Sequence, residues 1–329
     1  MNKNLLFQGW EMQGIYGLEQ MGINKLNIWV YGAGAVGCFY GSKLIESGNN
    51  VLFVSRGAQL RALKSQGLKI TSCDDDFYYK DVQCCSEEEL ENQTTPDLVI
   101  VSVKSYSNRE VANKLSKLLS DDSAIFVFQN GINSEHLYRK ICGEKKTVRV
   151  ILNIAAKVES PGKIFHKSGG KVIIEDKHSL SQRLFDEFHS VNVDCQLVKD
   201  IKNAIWNKIL WNASFNTVTA LSKLTTAPIV RDQDGLNLLK AIAEEVISLA
   251  KSNHVYLESS DFEKQLEFTQ EKLGDITTST REDVLEGKRI EYQAIVGDLI
   301  DEAKRLSIRT PYLFSVYTLL KLLDKSFER

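Results

Sequence analysis

The hydrophobic pattern of the chain changes once, close to residue 199. Before that point, short apolar runs alternate with amphipathic segments, which is typical of strands alternating with helices. After it, strand-like alternation disappears and apolar residues recur at helical spacing. The pattern predicts the α/β class, with a Rossmann-type doubly wound sheet over residues 25–198 and an all-helical domain over residues 199–329. Residues 1–24 are predicted to be an extension outside the core fold.

Apolar runs of strand length predict the sheet of the first domain. They occupy residues 25–31, 51–56, 96–104, 123–131 and 148–160. The third and fourth are apolar almost throughout, as expected for parallel strands that are buried on both faces. Two shorter strands are predicted around an acidic turn at residues 74–76, and Pro161-Gly162 and Gly169-Gly170 predict turns in a later antiparallel addition.

Helical spacing predicts a helix over residues 36–47, ended by Gly48, and another over residues 107–119. In the second domain, apolar residues recur at helical spacing in five successive stretches. The predicted helices there are residues 200–224, 236–253, 261–273, 280–306 and 311–325.

Composition narrows the function classes. Of the 329 residues, 43% are hydrophobic and 26% are charged, which is ordinary for a globular protein. The net charge of −2 gives no electrostatic reason to expect binding to nucleic acid or to a membrane surface. No apolar run of about 18 residues predicts a membrane span, and the N-terminus lacks the apolar region of a secretory signal. The six cysteines form no CxxC pair, so we expect free thiols, no metal site and a cytoplasmic location.

A glycine-rich loop follows the first predicted strand. Gly32-Ala33-Gly34-Ala35-Val36-Gly37 fits the pattern G-x-G-x-x-G between a strand and a helix. In such a loop the first glycine permits a tight turn, the second lets a pyrophosphate approach the backbone, and the third allows close packing of helix and strand. The loop therefore predicts dinucleotide binding. Cys38, next in sequence, is either a reactive thiol at a helix N-terminus or a small packing residue.

The end of the second predicted strand indicates which dinucleotide binds. A site for NAD usually has a carboxylate there for the ribose 2′-hydroxyl, whereas this chain has Ser55 and Arg56. A guanidinium binds a 2′-phosphate through two hydrogen bonds, so Arg56 favours NADP(H). The alternative is that Arg56 is a solvated surface charge.

Polar residues also follow two other predicted strands. Lys104 ends one strand, and Gln129-Asn130-Gly131 ends the next. Ligands of doubly wound sheets lie beyond the carboxyl ends of the strands, so these residues are expected near the cofactor. Ordinary strand-end chemistry, a solvated lysine and a turn at Asn-Gly, is the alternative.

One predicted helix of the second domain carries an amine and two carboxamides in a regular series. Lys208, Asn212 and Asn216 are spaced four residues apart, which places them on one side of an α-helix whose other residues are largely apolar. Buried Lys and Asn need partners, and an apolar surrounding lowers the pKa of an ammonium so that it suits proton transfer. A polar stripe that faces solvent is the alternative.

Together these motifs resemble the ketopantoate reductase (2-dehydropantoate 2-reductase) family. The matches are the glycine loop, Arg56, Val103-Lys104, Gln129-Asn130-Gly131, the run from Trp206 to Asn216 and a C-terminal segment with Ser279 and Glu291. The resemblance covers residues 25–325. It implies an NADPH-dependent reduction of a 2-keto acid, namely 2-dehydropantoate to pantoate in the pantothenate pathway.

The resemblance also implies roles for individual residues. Lys208 is implied as the general acid, and Glu291 as a residue near the nicotinamide that also orients this lysine. The remaining implied ligands are Asn212, Asn216 and Ser279 for the substrate, and Lys104, Asn130 and Ala156 for the nicotinamide end of the cofactor. Since members of the family often form dimers through the helical half, the resemblance admits a homodimer.

The chain departs from the family pattern in its substrate region. The family's S-S-M-L-Q-D reads Thr278-Ser279-Thr280-Arg281-Glu282-Asp283 here, its T-E-I-D reads Ile290-Glu291-Tyr292-Gln293, and a family Asn falls near Thr226. Arg281 either pairs with a substrate carboxylate or lies on the surface, and we favour the surface. The departures leave two alternatives open: a reductase of another 2-keto acid, or a non-catalytic NADP(H) sensor.

Overall fold

The computed structural model describes residues 24–72, 76–273 and 275–327. The predicted N-terminal extension and acidic turn therefore lie outside the described residues, apart from Asn24 and Asp76. Two compact units are present. One holds the described residues up to Gln129 together with Glu135–Lys199, and the other holds Asn130–Ser134 together with the described residues from Asp200 onward.

Among the described residues, ten strands form the sheet of the first unit. They are β1 (Asn27–Tyr31), β2 (Asn50–Val54), β3 (Leu68–Ser72), β4 (Asp76–Tyr79), β5 (Gln83–Cys85), β6 (Leu98–Val101), β7 (Ala124–Val127), β8 (Thr147–Ser160), β9 (Lys163–Glu175) and β10 (Cys195–Val198). Six of them run parallel in the order β5-β2-β1-β6-β7-β8. This is the strand order of a Rossmann sheet, with the order reversing next to β1.

The rest of the sheet is mixed. Strand β8 is long enough to pair with β7 and also with antiparallel β9, which in turn pairs with β3 and β10 in parallel, while β4 lies antiparallel to β3. The predicted fold class is confirmed. The sheet is mixed, because β9 runs antiparallel to β8 and β4 runs antiparallel to β3.

Helices cover the α/β unit and make up the second unit. The first unit contains α1 (Ala35–Glu46), α2 (Gly57–Gln66), α3 (Asn108–Leu118), α4 (His136–Cys142) and α5 (Ser179–Ser190). The second contains α6 (Lys202–Trp211), α7 (Thr217–Ser222), α8 (Thr226–Arg231), α9 (Gln233–Ser252), α10 (Ser259–Phe268), α11 (Ser279–Leu285), α12 (Asp298–Leu306) and α13 (Pro311–Lys325). None of the helices among the described residues is both long and apolar enough to cross a membrane.

Both faces of the parallel sheet are buried, which explains the continuous apolar runs. Along β1, Ile28 and Val30 pack into one core that includes residues of α1 and α5, whereas Trp29 and Tyr31 pack into a second core that includes residues of α3. The same alternation holds for β6 and β7. Each strand thus contributes apolar residues to two cores and needs no polar face.

One predicted turn is wrong. Gly169-Gly170 lies inside β9, where the pairing with β8 shifts between Asn153 and Ile154. Both glycines have positive φ, of 81° and 121°, and a Cβ on Gly169 would lie 2.4 Å from the Asn153 carbonyl oxygen. The pair is a β-bulge, in which glycine serves the same backbone need as in a turn.

The prediction of one long helix over residues 280–306 is also wrong, because this stretch is interrupted. Helix α11 ends at Leu285, and Gly287 then adopts a positive φ of 65°. The Gly287 N–H binds the Val284 carbonyl and the Lys288 N–H binds the Asp283 carbonyl, which is the Schellman arrangement that terminates helices. An irregular segment follows before helical structure resumes.

The second unit is organised around α9, which packs against α6, α8, α10, α12 and α13. In the part of this unit that the structure describes, three helical segments contain π-helical turns, at Asn212–Asn216, Thr269–Leu273 and Gln293–Gly297. Such turns are rare and occur often at functional sites. The first of them joins α6 to α7, so the single helix predicted over residues 200–224 is present but changes its turn geometry in the middle.

We predict that Gly37→Ala destabilises the first unit and Gly34→Ala does not to a comparable degree. A Cβ on Gly37 would lie 2.3 Å from the Gly32 carbonyl oxygen and 2.5 Å from Ser102 Oγ, whereas one on Gly34 would meet nothing within 4 Å. Overpacking costs about 1–3 kcal/mol, so the urea midpoint of G37A should fall. The free energy of unfolding of G34A should stay within about 1 kcal/mol of that of wild type. Equal midpoints for the two variants would contradict this packing.

Candidate functional site

The glycine loop forms an open cradle at the start of α1. Gly32 has a φ of 106°, and a Cβ there would lie 2.7 Å from the Val103 backbone nitrogen, so the tight turn requires glycine. Gly34 is the N-cap of α1. Among the described residues, no side chain caps this helix end and none occupies the space on the Cβ side of Gly34. An uncapped helix N-terminus with an approachable backbone is a site that favours a phosphate group.

Three side-chain contacts fix the cradle. Ser102 Oγ donates to the Gly32 carbonyl oxygen at 2.8 Å, and Gln59 Nε2 donates to the Ala33 carbonyl oxygen at 2.9 Å. Gln59 Oε1 also accepts from the Gly162 N–H at 3.0 Å, which links the loop to the turn between β8 and β9. Neither Ser102 nor Gln59 was identified from sequence, since each lies far along the chain from the loop it holds.

Cys38 is a packing residue. Its thiol is fully buried and donates to the Ala33 carbonyl oxygen at 3.3 Å. Burial raises the pKa of Cys38 to about 12, because the thiolate is disfavoured away from water. The thiol is therefore not activated at neutral pH.

The other predicted cofactor residues of the first unit lie on neighbouring strands. Arg56 is exposed beyond the end of β2 and is the N-cap of α2, and within the described part of the chain its guanidinium has no ion pair. Lys104 is half-buried beyond the end of β6. Because β2, β1 and β6 are adjacent and parallel, the structure brings Arg56, the glycine loop and Lys104 to one edge of the sheet. Ala156 is half-buried on β8, opposite His166 of β9.

The carboxamide of Gln129 ties together the ends of β6 and β7. Gln129 Nε2 donates to the Val103 carbonyl oxygen and to Asn108 Oδ1, both at 2.6 Å. Asn108 Oδ1 also accepts from the Tyr138 hydroxyl at 3.1 Å. This buried network fixes the point at which the chain leaves β7 toward Asn130.

In the second unit, the helical run from α6 to α7 carries Lys208, Asn212 and Asn216. Lys208 is half-buried, and the two asparagines are only 6% and 3% exposed. The π-helical turn begins at Asn212 and ends at Asn216, so the uniform α-helical stripe that the spacing predicted is not what positions the asparagines. The predicted alternative of a solvent-facing stripe does not hold for them.

Most buried polar groups of this run are satisfied within it. The hydroxyls of Ser214, Thr217 and Thr219 donate to main-chain carbonyl oxygens four residues earlier, at 2.9, 2.5 and 2.7 Å. Asn216 Oδ1 differs from them, since no hydrogen-bond donor among the described protein groups reaches it. A buried acceptor left in this state costs about 1–3 kcal/mol, which makes it a position where an external donor is expected.

Two packing contacts bring Glu291 and Asn130 to this helix. The π-helical turn Asn212–Asn216 packs against the turn Gln293–Gly297, which begins two residues after Glu291. A Cβ on Gly131 would lie 2.9 Å from the Ala294 carbonyl oxygen, so the segment that starts with Asn130 lies directly against this second turn. Glu291 and Asn130 are both half-buried.

Ser279 is brought to the same region by a pair of buried hydroxyls. Thr278 Oγ1 lies 2.7 Å from Thr219 Oγ1, and Thr278 is the N-cap of α11, accepting from the Arg281 N–H at 3.3 Å. Ser279, the first residue of α11, is exposed. Arg281 is half-buried, and it donates to the Lys223 carbonyl oxygen and to Thr277 Oγ1, each at 2.9 Å.

The second unit therefore carries an amine, two buried carboxamides, a hydroxyl and a carboxylate on segments that adjoin one pair of packed π-helical turns. Such a set can bind a polar organic anion and move a proton. A separate cavity of about 250 Å³ in this unit is lined by none of these residues; its walls are Thr226, Ala227, Val230, Arg231, Thr269, Gln270 and Asp275. Among the described residues, no cluster of His, Cys, Asp or Glu is arranged to hold a metal ion.

Comparisons with known proteins agree with this organisation. The family model described as ketopantoate reductase PanE/ApbA matches residues 28–178, and the one for the C-terminal part of the same family matches residues 200–324. A 2-dehydropantoate 2-reductase from Pyrococcus abyssi is 27% identical over 303 residues, which cover 90% of this chain and 97% of that protein.

Two solved structures of other proteins share this fold. The crystal structure of 2-dehydropantoate 2-reductase from Geobacter metallireducens has a TM-score of 0.84 at 27% identity, covering 90% of this chain and 99% of its own. D-mandelate dehydrogenase, in a ternary structure with NADH and anilino(oxo)acetate, shares the fold with a TM-score of 0.85 at 20% identity, covering 92% of this chain and 99% of its own. Because the family models match both units, the chain belongs to the ketopantoate reductase family, whose members are oxidoreductases that act on CH–OH groups.

Proposed function

We propose that the protein is an NADPH-dependent reductase that converts 2-dehydropantoate to pantoate. Family membership supports an oxidoreductase with a nicotinamide cofactor. The observation that carries the finer proposal is the buried, unsatisfied Asn216 Oδ1 on the same helical run as Lys208 and Asn212.

The cofactor fits the cradle of the first unit. The open side of Gly34 and the uncapped start of α1 would receive the pyrophosphate, and Arg56 would bind the 2′-phosphate of the adenosine ribose. Lys104, Asn130 and Ala156 would lie toward the nicotinamide, as the family resemblance implies. When bound, the reduced nicotinamide supplies the hydride that reduces the keto carbon of the substrate.

Lys208 is the proposed proton donor. Negative charge develops on the carbonyl oxygen as the keto carbon is reduced, and a cationic donor stabilises this charge most in the transition state. Proton transfer from Lys208 Nζ then yields the hydroxyl of the product. Glu291 is proposed to orient the amine, while Asn212, Asn216 and Ser279 bind the substrate.

The orphaned oxygen of Asn216 also favours one kind of substrate. A simple 2-keto acid offers only acceptors, whereas 2-dehydropantoate has a hydroxyl group on C4 that can donate. A substrate hydroxyl that donates to Asn216 Oδ1 would satisfy the acceptor that no described protein group satisfies. This supports 2-dehydropantoate over keto acids without a hydroxyl.

A reductase of another 2-keto acid is the second candidate. It is favoured by the changed segment at residues 278–283, and by the D-mandelate dehydrogenase whose fold this chain shares. The mechanism assigned to Lys208 would be the same in both cases, and only the groups around the rest of the substrate would differ.

We also propose a cytoplasmic location and, in keeping with the family resemblance, a homodimer. All five cysteines among the described residues are free thiols, which fits a reducing compartment.

Replacement of Lys208 by Ala should lower kcat for 2-dehydropantoate by about 100- to 10,000-fold, the usual contribution of a general acid. NADPH affinity, measured by cofactor fluorescence, should stay unchanged. Lys202→Ala is the matched control, because Lys202 is exposed at the start of the same helix. Unchanged turnover in K208A would remove the role of Lys208, and tight NADPH binding without turnover of any keto acid by wild type would favour the sensor.

Replacement of Arg56 by Ala should reduce the preference for NADPH over NADH. Loss of a charged hydrogen-bond donor costs about 1.5–3 kcal/mol, so the ratio of the two dissociation constants should change by about 10- to 100-fold. Arg61→Ala, an exposed arginine on α2, is the control and should leave the ratio unchanged. An R56A variant with the wild-type ratio would show that Arg56 is only a surface charge.

The hydroxyl of the substrate should matter through Asn216. Wild type should prefer 2-dehydropantoate over 3,3-dimethyl-2-oxobutanoate, which lacks the hydroxyl, by about 10-fold or more in kcat/KM. In Asn216→Ala this preference should shrink, since the acceptor is gone. A panel that includes phenylglyoxylate decides between the candidates, because better turnover of an aromatic keto acid would overturn 2-dehydropantoate as the substrate.

A further inference from the structure

Glu291 lies in a segment that has no regular structure of its own. After the Schellman turn at Gly287, residues 288–291 are neither helix nor strand, and helical structure resumes at Tyr292. Downstream, the Glu291 carbonyl oxygen accepts from the Ile295 N–H at 3.0 Å, the first hydrogen bond of the new helical segment. Its upstream side needs a separate support if the carboxylate is to be held in one place.

Asp324, in the last turn of α13, supplies this support. Its Oδ1 accepts from the Ile290 N–H at 2.5 Å, and its Oδ2 lies 3.9 Å from Nε of Arg289. Asp324 and Ile290 are each only 2% exposed, so this contact is shielded from water. A hydrogen bond to a charged acceptor is stronger than a neutral one, and it is little screened when buried.

The position of Asp324 is unfavourable for stability alone. Burying a carboxylate is costly unless it is paired and hydrogen-bonded. A negative charge in the last turn of a helix also faces the negative end of the helix dipole. The chain thus accepts two costs at Asp324, and the contacts that offset them are with the two residues that directly precede Glu291.

We propose that Asp324 is a positioning residue for Glu291. It fixes the main chain at Ile290, so that the Glu291 carboxylate is presented from a rigid backbone beside the π-helical turn Gln293–Gly297. This inference rests on the proposed function, in which Glu291 orients the catalytic amine.

The chain offers a matched control in Glu245. This half-buried carboxylate of α9 accepts from the Tyr312 and Leu313 N–H groups, at 3.0 and 2.8 Å, at the opposite end of α13. Glu245→Gln therefore weakens a contact between a carboxylate and main-chain amides at α13, the helix that carries Asp324. It leaves the segment that precedes Glu291 untouched.

The test is a double-mutant cycle with Asp324→Asn and Glu291→Gln, with E245Q beside it. D324N should lower kcat by about 10- to 100-fold, the effect of a misplaced catalytic group, with the KM for NADPH unchanged. The double variant should be no slower than E291Q, because Asp324 acts only through Glu291. E245Q should keep the wild-type kcat whatever it does to the midpoint of unfolding.

The outcomes separate the two proposals. Wild-type turnover in D324N, a double variant slowed by the product of both effects, or an equal loss of kcat in E245Q would overturn the positioning role alone. No turnover of 2-dehydropantoate by wild type would overturn the proposed function, and this inference with it. Unchanged turnover in E291Q would overturn the role of Glu291, and this inference with it, but not the reduction itself. Amide hydrogen exchange of wild type is an independent test. The Ile290 amide should exchange among the slowest of its segment, and rapid exchange there would contradict the hydrogen bond to Asp324 on which the positioning role depends.

Discussion

The polar groups buried along the helical run from α6 to α7 are the constraint on which the second unit depends. Burial removes water as their partner, so every donor and acceptor has to be satisfied by the protein or by a ligand. The hydroxyls of Ser214, Thr217 and Thr219 meet this demand by binding carbonyl groups of their own helix. Asn216 does not, and the structure tolerates an acceptor that a ligand would complete.

Contacts with this helical run position the neighbouring elements of the second unit. Its π-helical turn packs against a second π-helical turn, and the Thr219–Thr278 hydroxyl pair places the start of α11 beside it. Trp211 fixes the same stretch from another side, with its ring stacked on Phe215 and its Nε1 donating to Thr269 Oγ1 at 3.2 Å. In the first unit the comparable constraint is steric, because Gly32 and Gly37 allow a strand, a loop and a helix to approach more closely than any side chain would permit.

Much of the fold could be predicted because it follows from local patterns. The parallel strands are continuous apolar runs with two buried faces, and the glycine loop lies between a strand and a helix as its pattern requires. The sequence pattern does not predict α5, although Leu180, Leu184 and Phe188 have helical spacing. It predicts a turn rather than a bulge at Gly169-Gly170, because glycine serves both. The interruption at Gly287 was missed because apolar residues keep helical spacing on both sides of it.

The candidate site was predictable only in part, for a physical reason. Residue types such as Lys208, Asn212 and Asn216 carry a chemical signal, and the family resemblance implies their roles. Other residues hold the glycine loop, the start of α11 and the segment before Glu291. These residues, such as Gln59, Ser102, Thr219 and Asp324, act through contacts with distant parts of the chain, which no local pattern reveals. The π-helical turns were likewise invisible, since helical spacing in sequence does not distinguish them from an α-helix.

The proposed reaction requires that the buried polar groups of the second unit bind a keto acid with Lys208 as its proton donor. A crystal structure of the protein with NADP⁺ and pantoate tests this most directly. Lys208 Nζ should lie within about 3 Å of the C2 hydroxyl oxygen, and Asn216 Oδ1 should accept from the C4 hydroxyl of the same molecule. A complex with Lys208 Nζ in bulk water, or with Asn216 Oδ1 still lacking a donor, would contradict it.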